Sequence, residues 1–212
     1  NTSKDWDYFI NLSGEDSPLK SQHIIRQFLT TNNGRNYLFY YDQKFYRPDT
    51  LQRIQNHFTE LTHKISSLIY KREFMNGVKP FIGGKWFIFT RETCNFLINN
   101  KRVMDFEDYY LHTLLPAESF FQTVLMNTTF KDIIINDDKR ALIEKSFFNQ
   151  TQYYSYFIES LRNSNQLFIR KINNKTNKSL LHYINETYHL PLTQIDEIER
   201  ELKRSNNRNN WS

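Results

Sequence analysis

A single carboxylate stands in an apolar run that reads Leu-Leu-Pro-Ala-Glu-Ser-Phe-Phe-Gln-Thr-Val-Leu, from Leu114 to Leu125. Pro116 suits the first turn of a helix, where a missing N–H costs nothing, and apolar residues recur at helical spacing from Ala117 onward. The pattern predicts a helix with Glu118 in its first turn. A carboxylate held there could act as a general base, or it could simply complement the positive end of the helix dipole. The residues alone leave both roles open.

Two other segments carry residues suited to ligand binding. Gly83 and Gly84 form a turn that enters a strand, and a glycine pair allows the backbone to approach a ligand closely. Trp86 follows, and because side chains alternate along a strand, it or its neighbour could line a pocket. A short apolar run ends in Arg170 and Lys171, two cations that would suit a diphosphate at a sheet edge or could simply be solvated.

Both strands and helices are predicted to position these residues. Asp5–Leu12 has the aromatic and β-branched content of a strand, and a polar turn separates it from a helix that Ser21 would cap. Ligands in such α/β arrangements bind where strands end in loops. The other predicted elements are a loop-like segment over 31–50, helices over 50–72, 91–99, 155–162 and 179–188, and strands after the glycine pair, over 133–135 and over 166–171.

The chain of 212 residues suits one domain with a real core, which we expect to reach residue 196 before a frayed polar tail over 197–212. Net charge is +5, and no basic face is interleaved with aromatic residues, so a nucleic-acid partner is not expected. Cys94 is the only cysteine in the sequence, which excludes an internal disulfide. The sequence contains no apolar stretch of about 18 residues, so we expect no membrane span within it.

Four segments, in this order, resemble one family, the core-2/I-branching N-acetylglucosaminyltransferases and the peptide O-xylosyltransferases. The segments are Trp6–Lys20, Gly83–Phe87, Tyr109–Leu125 and Phe168–Lys171. The third segment is the most specific, and it resembles the xylosyltransferase branch. The resemblance extends over residues from about 5 to 185.

The resemblance implies a GT-A-like fold, which is a Rossmann-type α/β sandwich, with its N-terminal part missing from this chain. It implies an inverting transfer from a UDP-sugar without a metal or other cofactor, most specifically of xylose to a Ser hydroxyl of a proteoglycan core protein. The location implied is the Golgi lumen, as a single-pass membrane protein whose anchor lies outside this chain. The partners implied are the UDP-sugar donor and a protein or glycan acceptor.

The resemblance also assigns roles to residues. Glu118 would deprotonate the acceptor hydroxyl, and Arg170 and Lys171 would neutralise the departing UDP. Gly83 and Gly84 are assigned to donor binding. The residues assigned to the acceptor pocket are Trp86, Asp16 and Lys85. The pair Asp5 and Asp7 looks like the metal-binding pair of other nucleotide-sugar enzymes, but it precedes its strand, and we interpret it as a chance match.

Three departures from the family pattern leave the donor sugar open. Lys85 stands where the xylosyltransferases carry an Asp before the Trp, cysteines expected between residues 136 and 165 are missing, and the strands that hold uridine in the family are absent. Besides a xylosyltransferase, the sequence is compatible with a branching β-1,6-N-acetylglucosaminyltransferase that uses UDP-GlcNAc. It is also compatible with a catalytically weak relative that binds glycan.

Overall fold

The computed structural model describes residues 5–61, 64–143, 160–161 and 163–172. The chain divides into two compact units. The first unit contains the chain up to Ser13 together with Thr31–Lys139, and the second contains Gly14–Thr30 and the chain from Arg140 onward. The predicted helix over 179–188 and the predicted tail over 197–212 lie outside the described residues, as does most of the predicted helix over 155–162.

Helices and strands are both present, which confirms the predicted α/β class. The α-helices are α1 Gln22–Thr31, α2 Gln43–Tyr46, α3 Leu51–Gln55, α4 Arg91–Asn99, α5 Lys101–Tyr110 and α6 Phe120–Met126. The strands are β1 Tyr8–Ile10, β2 Ser17–Pro18, β3 Asn36–Leu38, β4 Tyr41–Asp42, β5 Asn56–Leu61, β6 Lys64–Lys71, β7 Phe81–Ile82, β8 Phe87–Thr90, β9 Ile134–Ile135, β10 Arg140–Leu142 and β11 Phe168–Arg170. Short 3₁₀ turns lie at Pro48–Thr50, Pro116–Glu118 and Thr129–Ile133.

The main sheet of the first unit has the strand order β1-β8-β3-β9. Strand β8 pairs antiparallel with β1 and β3, whereas β3 and β9 run parallel. All four residues of β8, Phe-Ile-Phe-Thr, are buried, as expected for a strand covered on both faces. Helix α4 follows it directly, and the Thr90 hydroxyl caps this helix by accepting from the N–H of Thr93 at 3.2 Å. The strand predicted after the glycine pair and the helix predicted over 91–99 are therefore confirmed.

Helix α6 connects two apolar clusters of the first unit. Leu125 packs in a cluster with Phe87 on the main sheet. Its neighbour Val124 packs in a second cluster with Val103 and Phe106 of α5. Consecutive helical residues point in directions about 100° apart, so one short helix can serve both clusters. The chain immediately before α6 is consequently tied to a helix that is buried in the core.

The second unit has a smaller sheet. Strand β11 pairs parallel with β10 and antiparallel with β2. The strand predicted over 166–171 is thus confirmed as β11. Ser21 precedes α1 and accepts from the N–H of Ile24 at 3.3 Å, so the predicted cap is confirmed as well.

Two of the predictions for the first unit are wrong. The helix predicted over 50–72 ends at Gln55, and an antiparallel hairpin of β5 and β6 follows. That segment contains Thr59, Ile65 and Ile69, whose branched side chains favour extended backbone, and pairing between the two strands decides the structure. The segment over 31–50 is not a loop either, because it contains β3, β4 and α2.

Candidate functional site

The first unit contains a cavity of about 230 Å³ that has Glu118 in its wall. Glu118 contributes a carboxylate, and two arginines contribute positive charge to the same wall. The lining residues are Phe39, Tyr41, Tyr46, Arg47, Arg53, Ile82, Gly83, Gly84 and Glu118. The structure therefore brings together Glu118 and both glycines of the predicted site.

One side of this cavity is aromatic. The rings of Tyr41 and Tyr46 stack with centroids 3.7 Å apart, and Phe39 meets Tyr41 edge to face at 4.7 Å. Tyr46 is largely exposed. Tyr37 of the same segment is buried in the core, whereas Tyr41 and Tyr46 line the cavity. An aromatic face next to polar groups is a surface on which a sugar ring or a side chain could lie.

The backbone around Glu118 differs in detail from the prediction. Glu118 ends the 3₁₀ turn Pro116–Glu118, and α6 begins only at Phe120, so Glu118 is not in the first turn of an α-helix. Leu115, before the turn, adopts the left-handed region with φ 54°. The carbonyl of Glu118 accepts a hydrogen bond of 2.8 Å from the N–H of Gly83. The backbone of Glu118 is thus held by the short turn and by the glycine segment, and the helix-dipole role loses its structural basis.

A buried network of hydroxyl groups fixes the residue after Glu118. Ser119 donates to the carbonyl of Phe81 at 2.7 Å, and its hydroxyl lies 2.9 Å from that of Tyr110. Tyr110 also donates to Thr123 at 3.1 Å, and Thr123 accepts from the N–H of Phe81 at 3.0 Å. Burial raises the pKa of Tyr110 to about 12. Because these groups satisfy one another without charge, the turn that carries Glu118 is anchored to β7 by neutral hydrogen bonds.

The carboxylate of Glu118 is paired with Arg53. Nη1 of Arg53 lies 3.0 Å from Oε2 of Glu118, and the two side chains are 30% and 41% exposed. Arg53 lies on α3, and its carbonyl accepts from the N–H of Leu114 at 2.9 Å. Arg53 was not predicted as a site residue, because it stands in a segment whose apolar spacing predicted one long helix over 50–72. No local pattern marks it, and only the fold places it beside Glu118.

The two glycines of the predicted donor segment have different environments. A Cβ at Gly83 would lie 1.8 Å from the carbonyl oxygen of Phe39, so glycine is required there by the approach of the protein's own backbone. A Cβ at Gly84 would meet Cδ1 of Trp86 at 3.6 Å, an ordinary contact. The buried amide of Gln122 donates to the carbonyl of Gly84 at 2.7 Å and holds this segment in place. A role of either glycine in donor binding stays a prediction.

Lys85 and Trp86 follow the glycines and lie outside the cavity lining of the described residues. Lys85 is exposed, and its Nζ lies 5.1 Å from the ring of Trp86, within the range of a cation–π contact. Its carbonyl accepts from the side-chain amide of Asn11 at 2.7 Å. Trp86 is buried against the glycine segment. Their assignment to an acceptor pocket stays a prediction.

The remaining candidate residues lie in the second unit. Oδ1 of Asp16 is 3.6 Å from Nε of Arg140 and 3.6 Å from Nε of Arg170, and the Asp16 side chain has no exposed surface. Arg140 is almost equally buried, whereas 14% of the Arg170 side chain is exposed. Lys171, the next residue, is exposed. Arg170 therefore has an internal counter-charge, which it shares with Arg140, and neither contact was predicted from the sequence.

The described part of the chain contains neither a cluster of metal-ligating side chains nor a membrane-spanning helix. Among these residues, no group of three or more His, Cys, Asp or Glu side chains is arranged to hold a metal ion. No helix among them is long and apolar enough to cross a membrane.

The core-2/I-branching enzyme family model matches residues 1–153 of this chain, which is more than half of the 212 residues. The chain belongs to the core-2/I-branching enzyme family. The predicted resemblance is thereby confirmed. The matched range contains Glu118, both glycines and Asp16, whereas Arg170 and Lys171 lie beyond it.

Curated relatives of this core-2/I-branching chain are named xylosyltransferases. A xylosyltransferase of Ciona intestinalis is 31% identical over 143 residues, which are 65% of this chain and 16% of the relative. Xylosyltransferase 2 of Homo sapiens is 30% identical over 144 residues, 64% of this chain and 16% of the relative. Xylosyltransferase 1 of Rattus norvegicus is 31% identical over 140 residues, 64% of this chain and 17% of the relative. The matched segment thus spans only 16–17% of the length of these relatives.

Proposed function

We propose that the protein is an inverting glycosyltransferase that moves a sugar from a UDP-sugar to an acceptor hydroxyl, with Glu118 as the general base. The observation that carries the proposal is the partly exposed carboxylate of Glu118 in a cavity with an aromatic side, within a chain of this enzyme family. The predicted GT-A-like arrangement and the inverting course belong to the same proposal.

In the proposed step, the acceptor oxygen attacks C1 of the donor sugar while its proton passes to the carboxylate of Glu118. The bond between C1 and the UDP oxygen breaks, and its electron pair leaves with UDP. The configuration at C1 inverts because attack and departure take place on opposite faces. One base suffices on the acceptor side, since UDP is a good leaving group whose developing charge needs only stabilisation.

We assign the stabilisation of the negative charge that develops on UDP to Arg170 and Lys171. Cations can stabilise a leaving diphosphate by charge-assisted hydrogen bonds, the work a metal ion does in other enzymes. Lys171 is exposed, while Arg170 is already paired with Asp16. We therefore expect Lys171 to contribute more of this stabilisation than Arg170.

Xylose, transferred to a Ser hydroxyl of a proteoglycan core protein, is the most specific form of the proposal, and it rests on the likeness to the named relatives. Lys85 favours a second candidate, because it replaces the Asp expected in xylosyltransferases and is exposed beside Trp86. That candidate is a branching β-1,6-N-acetylglucosaminyltransferase that uses UDP-GlcNAc. For either enzyme we propose the Golgi lumen as the location.

The test is Glu118→Gln in the full-length protein. Loss of a general base lowers turnover by about 100- to 10,000-fold, and binding of UDP should stay the same because Glu118 acts on the acceptor. Glu92→Gln is the matched control, since Glu92 is an exposed carboxylate in the first turn of α4. Unchanged turnover in Glu118→Gln would remove Glu118 as the base.

The donor is decided by measuring UDP release from a panel of UDP-sugars, with and without a Ser-Gly acceptor peptide. Peptide-dependent turnover of UDP-xylose is the expected result. Preference for UDP-GlcNAc with a glycan acceptor would establish the branching enzyme instead. Glycan binding without turnover of any donor would establish the catalytically weak relative and refute the transfer proposal.

The metal-free mechanism is tested by assaying the same reaction in EDTA. Activity should persist, because protein cations are proposed to neutralise the diphosphate. If EDTA abolished turnover and Mn²⁺ restored it, this part of the proposal would be wrong.

A further inference from the structure

The two arginines in the cavity wall have different partners. Arg47 is held by Asp49 through two parallel hydrogen bonds, from Nε at 3.1 Å and from Nη2 at 3.0 Å. Arg53 instead donates from Nη1 to Oε2 of Glu118 at 3.0 Å. Because both oxygens of Asp49 accept hydrogen bonds along one edge of the guanidinium, Asp49 fixes the orientation of Arg47. The pairing thus leaves Arg53 as the cation assigned to Glu118 among the described residues.

Arg53 is itself held in place by the fold. Its neighbour Ile54 is 1% exposed in the second apolar cluster and anchors α3. The carbonyl of Ile54 accepts from the hydroxyl of Tyr109 at 2.9 Å. The carbonyl of Arg53 accepts from the N–H of Leu114, so α3 and the segment that leads to Glu118 are joined by backbone. The backbone that carries the Arg53 side chain is therefore fixed with respect to the segment that carries Glu118.

The ion pair contributes little to stability, because both side chains are substantially exposed to solvent. Its consequence is geometric. Of the two carboxylate oxygens, Oε2 is the one that Arg53 engages, and Oε1 has no hydrogen-bond partner among the described residues. A base needs one oxygen directed at the acceptor proton and a fixed orientation of its carboxylate plane.

We infer that Arg53 is a positioning residue for Glu118, holding Oε2 so that Oε1 faces the cavity to receive the acceptor proton. The inference rests on the proposed function, in which Glu118 is the base. Arg53 acts through Glu118 and does not touch the reacting atoms.

The experiment is a kinetic double-mutant cycle in the full-length protein. Arg53→Ala should lower kcat by about 10- to 100-fold, the size expected when a reacting group is misplaced by about 1 Å, with the dissociation constant of UDP unchanged. In the Glu118→Gln background, Arg53→Ala should cause no further loss, because there is no base left to position. Arg53→Lys should recover part of the loss, since a lysine can still donate one hydrogen bond to Oε2.

Three outcomes would overturn the inference. Arg53→Ala could reduce kcat equally in both backgrounds, it could reduce kcat only in parallel with the Tm, or Arg53→Lys could be as slow as Arg53→Ala. Each would show that Arg53 supports the fold and does not orient Glu118. Arg47→Ala is the comparison for charge, because it removes a cation from the same wall without removing the partner of Glu118.

A measurement without turnover separates this inference from the proposed function. In ¹⁵N-edited NMR spectra, the guanidinium signals of Arg53 should shift in Glu118→Gln by more than those of Arg47, which is near Glu118 but is hydrogen-bonded to Asp49. If no UDP-sugar is turned over, the proposed function fails, and these spectra still decide whether Arg53 holds Glu118. If the Arg53 signals do not respond to Glu118→Gln, the positioning role is refuted whatever the activity.

Discussion

Glu118 and Asp16 are both carboxylates paired with arginine, and their surroundings are opposite. Glu118 is 41% exposed in a cavity wall and has one cation, Arg53, at 3.0 Å. Asp16 has no exposed side-chain surface and lies between Arg140 and Arg170, each at 3.6 Å. The carboxylate with the shorter contact is the one that solvent and a ligand can reach.

The difference shows which carboxylate is free to react. An exposed pair contributes about 0–1 kcal/mol to stability, so the fold does not depend on the carboxylate of Glu118. A carboxylate buried between two guanidinium groups cannot change partners, because moving it would leave buried charges unpaired. Asp16 therefore stabilises the fold of its own unit.

The same comparison applies to the cations assigned to UDP. Arg170 shares the charge of Asp16, and its Nη2 lies 3.9 Å from the exposed carboxylate of Glu15. Lys171 is exposed. Because a cation that already has two carboxylates nearby gains less from a further anion, we expect UDP affinity to depend more on Lys171 than on Arg170.

The largest expected effect is on stability, in Asp16→Asn. Removing this buried negative charge leaves Arg140 and Arg170 without their shared counter-charge, and we expect the free energy of unfolding to fall by about 3–5 kcal/mol. Urea unfolding of the full-length protein measures the change. Glu15→Gln is the matched control, since it alters an exposed carboxylate near the same Arg170 and should cost less than about 1 kcal/mol. Equal losses in the two variants would refute the distinction.

The next largest loss of stability is expected in Gly83→Ala, which tests the backbone segment that holds Glu118. The new Cβ would lie 1.8 Å from the carbonyl oxygen of Phe39, and neither backbone can yield easily. We expect a loss of about 3 kcal/mol, the upper part of the usual range for overpacking. Gly84→Ala makes only an ordinary contact with Trp86 and should cost less than about 1 kcal/mol. If the two variants were equally stable, the close approach at Gly83 would not govern this segment.

The sequence predicted the chemistry around Glu118 better than its geometry. Glu118 and the two glycines were identified from short segments, and the structure places them in one cavity. Arg53 was missed because it is 65 residues away in the chain and its pairing depends on how α3 packs. The error over 50–72 has the same origin, since strand pairing overrode an apolar spacing that also fits a helix.

The second unit shows a related limit. Asp16 was assigned to the site by the family resemblance, whereas Arg170 was selected as a cation at the end of a predicted strand. Their mutual pairing depends on the alignment of β2, β10 and β11, in which Phe168 is opposite both Pro18 and Arg140. Nothing local to Asp16 indicates that two arginines will converge on it. Sequence patterns thus identify reactive residue types more readily than the partners that neutralise them.

A loss of stability of intermediate size is expected at high pH, because hydroxyl groups hold the segment after Glu118. The pKa of Tyr110 is raised to about 12 from the ordinary 10.0, mainly by burial, so the folded state retains this proton longer than the unfolded state. Stability from this group is complete below pH 10, and about 2 kcal/mol of it should be lost as the pH rises toward 12. Unfolding by urea at several pH values measures this loss.

Tyr110→Phe identifies the group responsible for this alkaline loss. The variant lacks the hydroxyl hydrogen bonds at every pH and should be less stable at neutral pH by about 1 kcal/mol. Its stability should then decline less between pH 10 and pH 12 than that of the unaltered protein. An undiminished alkaline decline in Tyr110→Phe would assign the effect to another group.

The smallest expected effect is that of Glu118→Gln on stability. Because Glu118 and Arg53 are both partly exposed, replacing the charge should change the free energy of unfolding by less than about 1 kcal/mol, and salt should reduce even that. Parallel urea titrations at low and high ionic strength measure the difference. A loss as large as that in Asp16→Asn would place both carboxylates in the same structural class, and a fall in turnover could then reflect unfolding. A small loss leaves chemistry at the carboxylate as the cause of any change in rate.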